Sequence, residues 1–269
     1  MRAVVTCALA WVLLALGAGA SEAPRLWRWQ FPQPGKRIAL LYTGHEFAEG
    51  MALVLDALNA RGARASFFFT GDFLRRAEFA PLVRRVVREG HYLGPHSDRH
   101  LLYCSWDSPP KTLVSRAEFR RDVVRNVDEV VRFGVRRSSI TYWVPAYEWA
   151  NPDITLWAGE LRLRTVGTVL AGTRANADYM CDDNPRFVPA ARIVESVLER
   201  ETEDGLDGAE LLMHVGAGPC RSDKLHTRLG GMLDELTRRG YRFLRIDEFG
   251  RLGTAPDHET AAKGGRGSR

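Results

Sequence analysis

Residues 37–70 read RIALLYTGHEFAEGMALVLDALNARGARASFFFT and contain a strand, a helix and a second strand in succession. The run Ile38–Tyr42 is short and continuously apolar, which is typical of a strand in a buried parallel sheet. Four apolar residues then recur at helical spacing: Met51, Val54, Leu55 and Leu58. The repeat ends near Gly62, and Phe67–Phe69 follows as the second strand. This order predicts a parallel α/β unit.

The rest of the chain repeats the alternation of strands and helices. Further strands are predicted at His91–Gly94, Ser139–Trp143, Arg164–Val169, Glu210–Met213 and Tyr241–Ile246. Helices are predicted at 72–90, 115–134, 152–161, 190–201 and 223–239. We expect Asp72 to cap the first of these helices and Pro81 to interrupt it.

Seven strands without a long linker predict one α/β domain with a parallel sheet. The strand count allows a closed barrel or an open doubly wound sheet. No Gly-x-Gly-x-x-Gly or Walker phosphate loop follows a strand, which disfavours the nucleotide-binding open sheets.

The two ends differ from the central region in composition. Residues 1–20 carry Arg2, the apolar run Ala3–Leu16 and the small residues Ala18–Ala20, which is the pattern of a cleaved signal peptide. The apolar run is shorter than a membrane span requires, so we expect a secreted or periplasmic protein without a stable span. An uncleaved anchor is the alternative. Residues 253–269 are predicted to form a disordered basic tail.

The net charge and the cysteine spacing exclude few classes of partner or site. Lys and Arg number 38 and Asp and Glu 33, and a net charge of +5 over 269 residues gives no reason to expect a nucleic acid partner. Without the signal peptide the cysteines are Cys104, Cys181 and Cys220, and no Cys-x-x-Cys pair indicates a thiol zinc site. An oxidising compartment allows one disulfide and one free thiol. The sequence leaves the pairing open, and Cys181–Cys220 is one possibility.

Histidines gather at the carboxyl ends of the predicted strands, which share one face in a parallel α/β fold. His45 and Glu46 follow the first strand, His96 and His100 follow the third, and His214 ends the sixth. The spacing of His96 and His100 allows both to lie on one face of a helix and to bind one metal ion. Zinc suits such ligands, although mixed sites also take Co, Ni, Mn or Fe.

Other polar residues reach the same face. Tyr147 and Glu148 follow the fourth strand, and Asn176 and Asp178 follow the fifth. The stretch 172–179 is too polar for the core and is predicted to be a rim loop, either contacting substrate or simply solvated. No Gly-x-Ser-x-Gly elbow is present, which disfavours a serine hydrolase.

Over residues 36–250 the chain resembles the polysaccharide deacetylase family, the NodB-homology or carbohydrate esterase family 4 type. The resemblance is carried by Leu53–Phe73, by Gly90–Gly94 leading into His96-Ser97-Asp98-Arg99-His100, by Leu212–His214 and by Gly240–Phe243. It implies a distorted (β/α)7 barrel in a single domain, in agreement with the seven predicted strands. It also implies a metal-dependent hydrolase that removes acetyl groups, N-acetyl or O-acetyl, from an extracytoplasmic polysaccharide. His96 and His100 would hold a divalent metal ion, zinc in the first place, and His214 would be the catalytic acid.

The first motif departs from the family pattern. Thr43 and Gly44 stand where the family has an Asp pair, of which the first is the base and the second a metal ligand. We therefore expect His45 to be the third metal ligand and Glu46 to be the catalytic base. Glu148 is a competitor for the role of base.

The third motif, Trp143–Tyr147, keeps the Pro and the aromatic residue but lacks the Arg that orients the base in the family. Trp143, Tyr147 and Glu148 are expected to bind substrate, with Trp149 as a further stacking residue; rim packing is the alternative for Trp143. Asp98 and Arg99 are expected to orient the metal ligands. The two losses leave a second hypothesis, a catalytically inactive barrel that binds glycans, although the retained histidines favour the enzyme.

Overall fold

The computed structural model describes residues 28–168 and 171–255. The predicted signal peptide, residues 1–20, lies outside this part, as does most of the predicted tail. Thr254, near the start of that tail, exchanges two backbone hydrogen bonds with Gln30. These bonds join the C-terminal end of the described chain to its N-terminal segment.

Seven strands and eight α-helices alternate along the described chain. In order they are β1 (Arg37–Gly44), α1 (Met51–Asn59), β2 (Ser66–Phe69), α2 (Gly71–Arg75), α3 (Ala80–Arg88), β3 (Tyr92–Pro95), α4 (Arg116–Arg132), β4 (Tyr142–Trp143), α5 (Pro152–Glu160), β5 (Arg164–Thr165), α6 (Ala190–Asp204), β6 (Ala209–His214), α7 (Leu229–Arg238), β7 (Arg242–Leu244) and α8 (Ile246–Leu252).

Strand β1 is the centre of a parallel sheet. One of its edges pairs with β6 over Ile38 to Thr43. Its other edge is shared, because β7 pairs with residues 37–39 and β2 pairs with residues 41–44. Strand β3 pairs with the far edge of β2. The carboxyl ends of β1, β2, β3 and β6 therefore open at one mouth.

The remaining strands, β4 and β5, continue the sheet into a barrel. They pair with each other in parallel. The amide of Val144, just after β4, donates to the carbonyl of Pro95 at the end of β3. The amide of Gly167, just after β5, donates to the carboxylate of Glu210 on β6. The strands thus follow one another around a distorted (β/α)7 barrel in a single domain, which confirms the predicted fold over an open doubly wound sheet.

The alternation of side chains along β1 separates two apolar layers. Ile38, Leu40 and Tyr42 pack in the larger cluster, which includes the inner faces of α1, α4 and α7. Ala39 and Leu41 belong to the smaller cluster, in the barrel interior. Thr43 is the next inward-facing residue along β1, and it pairs in register with His214 on β6. The strand period therefore brings these two residues together at the mouth.

The helical region predicted at 72–90 differs from expectation in its cap but not in its interruption. The cap is Thr70, whose hydroxyl accepts the amide proton of Phe73, and Asp72 lies inside the first turn instead. The helical region is interrupted as predicted, between α2 and α3, and Pro81 stands just after the break, in the first turn of α3, where its missing N–H has no intrahelical acceptor to lose.

The C-terminal part of the chain differs from expectation in two helices. Helix α7 begins at Leu229 rather than at Asp223, because Leu225–Thr227 form a separate 3-10 turn. Helix α8 was not predicted, because it begins at Ile246, where the last predicted strand ends. Its buried residue Phe249 packs edge-on against Trp29, which closes the end of the barrel opposite the mouth.

A disulfide joins Cys181 and Cys220, whereas Cys104 is buried and free. The bridge links the segment that follows β5 to the segment that follows β6. Over residues 28–168 and 171–255, no helix is long and apolar enough to cross a membrane.

Candidate active site

His96 and His100 meet in a loop, not on a helix as their spacing predicted. Ser97 and His100 have φ values of 75° and 54°, in the left-handed region that a right-handed helix excludes. The resulting tight turn brings the rings of His96 and His100 to 5.1 Å between centroids. The pair is thus brought together as predicted, by a different backbone conformation.

Two buried polar residues of α4 hold this loop in place. Asn126 accepts the amide proton of His96 at 2.6 Å and donates to the carbonyl of Phe69. Asp122 accepts from the hydroxyls of Ser97 and Tyr103 and from two backbone amides of the loop, at residues 98 and 99. Sequence reasoning missed both. Their positions could have indicated burial, because they lie three and seven residues after Phe119 and so fall on the buried stripe of α4.

A second anchor comes from α2. The buried carboxylate of Asp98 accepts from the guanidinium of Arg75 at 2.6 Å. Gly71 is required there, because a Cβ atom at this position would lie 1.8 Å from the Asp98 carboxylate. Arg99 is exposed, and its backbone amide donates to Asp122. Asp98 therefore supports the loop that carries the two histidines, and its contact with Arg75 helps to hold their orientation.

His96 has a defined tautomer. Its Nδ1 lies 2.9 Å from the carbonyl of Val144, which can only accept, so Nδ1 carries the proton. Burial, together with the nearby charges of His100, His214 and His45, lowers the pKa of His96 well below its usual value. The ring is therefore neutral, and Nε2 presents a lone pair to the site.

His45 and His100 stack face to face, with centroids 4.6 Å apart and planes 10° apart. Nδ1 of His45 lies 3.1 Å from the hydroxyl of Thr70, the residue that caps α2. Burial, with the charges of His45 and His214, lowers the pKa of His100 to about 4. The structure thus brings His45 into the same cluster as His100 and His96.

The two candidate carboxylates lie in different surroundings. Glu46 is exposed, and its backbone carbonyl accepts from Arg76. Within the described chain no contact joins its carboxylate to the histidines. Glu148 is largely buried, and its Oε1 lies 3.9 Å from Nε2 of His96. Desolvation raises the pKa of Glu148, partly offset by the charge of His214.

The backbone that delivers Glu148 is strained. Tyr147 and Glu148 have φ values of 62° and 52°, a conformation that costs non-glycine residues about 1 kcal/mol or more each. Five described non-glycine residues have positive φ, and four of them lie in the two loops that carry His100 and Glu148. Such strain persists only where the surrounding structure maintains it, and here it is concentrated in these two loops.

His214 is held by Asp178, from the segment predicted to be a rim loop. Nδ1 of His214 lies 2.6 Å from Oδ1 of Asp178, and the His214 amide donates to Oδ2 at 2.8 Å. Burial alone would lower the pKa of His214. Asp178, through its charge and its hydrogen bond, and Glu148, through its charge, outweigh this effect, so the pKa of His214 is raised. Tyr179 packs its ring 4.7 Å from the His214 ring. Asn176 belongs to the same 3-10 segment.

The two positions that correspond to the family's Asp pair are both buried, and the second of them is crowded. The Thr43 hydroxyl is buried without a hydrogen-bond partner among the described residues. A Cβ atom at Gly44 would lie 2.8 Å from Val215, 2.9 Å from Phe69 and 3.0 Å from Phe73. All three are fully buried, so a carboxylate at position 44 requires them to move.

The aromatic residues of the third motif divide into two groups. Trp143 is fully buried, packs against Phe119 and donates through its indole N–H to Thr165, so the prediction that it binds substrate is wrong. Packing under the barrel rim, the alternative, is what is observed. Tyr147 is exposed, with its ring 4.4 Å from the His100 ring. Trp149 is half-buried nearby.

The histidine cluster fits a divalent metal ion by donor type. Neutral imidazole nitrogen is the ligand that zinc and related ions prefer, and the low pKa values of His96 and His100 supply that form. As the side chains stand, no group of three or more His, Cys, Asp or Glu residues in segments 28–168 and 171–255 is arranged to hold an ion. Binding one at His45, His96 and His100 therefore requires the three rings to adjust.

Comparisons with known proteins agree with the resemblance. The family model described as polysaccharide deacetylase matches residues 32–166, about half of the chain. The chain is 27% identical over 221 residues to a peptidoglycan-N-acetylglucosamine deacetylase of Bacillus cereus, covering 82% of this chain and 91% of that protein.

Two solved structures share the fold. A CE4 family pseudoenzyme from Bacillus anthracis matches with a TM-score of 0.62 and 17% identity, covering 80% of this chain and 65% of that chain. A family 4 acetyl xylan esterase from Clostridium thermocellum, in complex with a cobalt ion, matches with a TM-score of 0.62 and 21% identity, covering 81% of this chain and 91% of that chain.

Proposed function

The chain belongs to the polysaccharide deacetylase family, and on that premise we propose that it is a metal-dependent hydrolase that removes acetyl groups from an extracytoplasmic polysaccharide. N-acetyl groups are the proposed target, as the name of the Bacillus cereus relative indicates for that protein. The observation that carries the proposal is the contact of 2.6 Å between Nδ1 of His214 and Asp178, at the same mouth as Glu148 and His96. An acid and a carboxylate base are what amide hydrolysis needs.

The proposed reaction balances with the groups of this chain. Water adds to the acetyl carbonyl carbon and gives a proton to a carboxylate. The carbon–nitrogen bond then breaks, and the leaving nitrogen takes a proton from Nε2 of His214 while Nδ1–H stays with Asp178. The products are acetate and the free amine.

We assign the base to Glu148 and keep Glu46 as the competing assignment. Glu148 is desolvated, which raises its pKa and makes the carboxylate a better proton acceptor near neutral pH. It also lies beside His96, whereas Glu46 is exposed. A general base must reach its proton directly or through one water molecule, and this requirement favours Glu148.

His96, His100 and His45 are the proposed ligands of a divalent metal ion, with zinc as the first choice. Such an ion polarises a carbonyl and lowers the pKa of bound water. The protein's own contribution is to keep the rings neutral and to fix His96 through the carbonyl of Val144.

The proposed location is outside the cytoplasm, secreted or periplasmic. The disulfide between Cys181 and Cys220 supports it, because such bonds persist in oxidising compartments. The N-terminal sequence supports it as well, since residues 1–20 have the pattern of a signal peptide. The proposed partner is therefore a cell-wall or extracellular glycan.

The test is acetate release from chitin oligomers, peptidoglycan and acetylated xylan, with chelator and with zinc or cobalt added back. We expect release that depends on the metal and is lost in His96→Ala. Equal release by His96→Ala, or release that survives chelation, would overturn the metal-dependent mechanism.

A second candidate function is glycan binding without catalysis. It is favoured by Thr43 and Gly44, which replace the family's Asp pair, and by the crowding at position 44, where a Cβ atom would require neighbouring side chains to move. Tight binding of one of these glycans with no acetate release under any metal condition would establish it.

A further inference from the structure

An open cleft lies at the end of the barrel opposite the mouth. It has a volume of about 540 Å³ and lies between the first residues of β4 and β5, the end of α5 and helix α8. Three arginines from separate elements line it: Arg162 follows α5, Arg164 begins β5 and Arg251 lies on α8. These three residues and the space between them are here called the basic cleft.

The basic cleft has an excess of positive charge, because its one acidic lining residue is already paired. Asp247 accepts from the guanidinium of Arg245 through both carboxylate oxygens, at 2.9 Å and 2.7 Å. Arg251 lies 3.6 Å from the same carboxylate. Neither Arg162 nor Arg164 forms an ion pair with any residue in the part of the chain that the structure describes, and both are exposed.

The guanidinium of Arg164 is positioned by the floor of the cleft. It donates to the hydroxyl of Tyr142 at 3.3 Å, and Tyr142 is itself buried. Gly250 makes room for that hydroxyl, because a Cβ atom at position 250 would lie 1.6 Å from the Tyr142 oxygen. The close packing of α8 on β4 therefore places one charged group in the cleft before any ligand arrives, which lowers the entropy cost of binding.

Arg162 occupies a backbone conformation that favours glycine. Its φ is 62°, and its amide and the next one donate back into the last turn of α5, the pattern that ends a helix at a left-handed residue. The same pair of hydrogen bonds ends α1, α3 and α7, where the left-handed residue is a glycine each time: Gly62, Gly90 and Gly240. Arginine is less stable than glycine at such a position, so the fold itself does not account for Arg162. Its side chain lines the cleft, and glycine would supply none.

The donors of the basic cleft fit a phosphate monoester. A guanidinium presents its N–H groups in a planar fork that matches two oxygens of a phosphate. A phosphate monoester carries about two negative charges at neutral pH and three acceptor oxygens, so it can engage more than one arginine, whereas a carboxylate carries a single charge. Ser139 and Thr141 also line the cleft and offer hydroxyl donors.

We propose that the basic cleft is a binding site for a phosphate monoester, with Arg162 and Arg164 as its main contacts. The cleft lies at the far end of the barrel from the histidine cluster, so the inference goes beyond the proposed deacetylation and does not depend on it. A soluble phosphorylated compound and a phosphomonoester lipid headgroup share this chemistry, and the experiment separates the two sources.

The test compares wild type with Arg162→Gly, Arg164→Gln and two controls. Arg120→Gln removes the same charge at an exposed position of α4 away from the cleft, and His96→Ala alters the histidine cluster. Calorimetry at low ionic strength measures binding of glycerol 3-phosphate. Co-sedimentation with phosphatidylcholine vesicles, with and without phosphatidic acid, measures binding to a headgroup. Thermal unfolding measures the stability of each variant.

We expect Arg162→Gly and Arg164→Gln each to weaken binding about tenfold, and both controls to match wild type. Arg162→Gly should also unfold about 2 °C above wild type, because glycine adopts the left-handed conformation without a Cβ atom. Its loss of binding then cannot come from a damaged fold.

Binding of glycerol 3-phosphate with this dependence on the two arginines supports the site and a soluble ligand. Binding confined to phosphatidic acid vesicles, with the same dependence, supports the site and a lipid headgroup. No binding of either probe by wild type, an equal loss in Arg120→Gln, or a loss in His96→Ala instead of the cleft variants would overturn the proposal.

Discussion

Asp178 contacts His214 twice, through the ring Nδ1 at 2.6 Å and through the backbone amide at 2.8 Å. The two contacts fix the rotation of the ring and direct Nε2 away from Asp178. The negative charge also stabilises the protonated imidazole, so the pKa of His214 is raised although the ring is buried. His214 therefore keeps a proton at pH values where an ordinary histidine has lost it.

Asp178→Asn should move the pH dependence of deacetylation. Because an acid acts only while protonated, activity falls as the pH rises through the pKa of His214. Removing the Asp178 charge lowers that pKa, so the alkaline fall in kcat moves to lower pH, and kcat itself drops about 100-fold. Rates measured from pH 5 to 10 test this. Asp183→Asn, an exposed neighbour in the same segment, is the control, and an alkaline limb at the same pH in both variants would contradict the prediction.

Glu148→Gln and Glu46→Gln separate the two candidate bases. Gln keeps the shape of the side chain but cannot accept a proton from water. We expect Glu148→Gln to lower kcat at least about 100-fold with little change in KM, and Glu46→Gln to remain within about twofold of wild type. Steady-state kinetics on one acetylated oligomer decide between them. The reverse pattern would assign the base to Glu46.

Asn126→Ala should destabilise the fold by about 3 kcal/mol. The substitution removes the acceptor for the His96 amide and the donor for the Phe69 carbonyl, and both groups stay buried. Urea unfolding of the metal-free protein measures the loss. Asn59→Ala, at an exposed position on α1, should change stability by less than about 0.5 kcal/mol. Equal effects at the two positions would show that the contacts of Asn126 do not stabilise the loop.

His91 should make the fold sensitive to acid. Its Nδ1 accepts the amide proton of Ala65, and its Nε2 is buried without a partner in the described structure. Burial and the nearby Arg64 lower the pKa of His91 to about 4 in the folded chain. An ordinary histidine, as in the unfolded chain, has a pKa of about 6.5. Between these two pH values the unfolded chain therefore binds a proton that the folded chain does not. Stability is therefore full above pH 6.5 and falls as the pH drops towards 4, by about 3 kcal/mol from this residue.

His91→Asn tests this contribution, because the Asn oxygen can still accept from Ala65 but does not titrate. Urea unfolding at pH 7 and pH 4 should show a smaller acid loss in the variant than in wild type. The histidines of the mouth contribute equally to both proteins and cancel. An identical acid loss would mean that His91 is protonated in the folded state.

The alternation of strands and helices was predictable from the residues because its signals are local, whereas the barrel was implied by the resemblance to the family. The apolar run in β1 and the helical repeat in α1 each decide a secondary structure within a few residues. The pairing of both β6 and β7 with β1 is a tertiary feature that chain order does not give. His45, His96, His100 and His214 were also predictable as a group, since each follows a strand whose carboxyl end faces the mouth.

Features that depend on tertiary contacts were missed or misjudged. The turn at Ser97 is left-handed because Asp122, 25 residues away, holds the Ser97 hydroxyl. Glu148 is desolvated by the packing around it, which its neighbours in sequence do not reveal. Trp143 was expected to bind substrate but is fully buried, and the sequence around an indole does not reveal its burial.

The crowding around Gly44 also bears on the history of the chain. Val215, Phe69 and Phe73 lie where a Cβ atom at position 44, and hence the second carboxylate of the family's Asp pair, would begin. Gly44→Asp alone would then meet three buried side chains, so reversion needs several coordinated substitutions, each of which opens a cavity before it is useful. A single substitution at position 44 is therefore a poor route back to the family's Asp pair, and under the proposed mechanism His45 and Glu148 take its place.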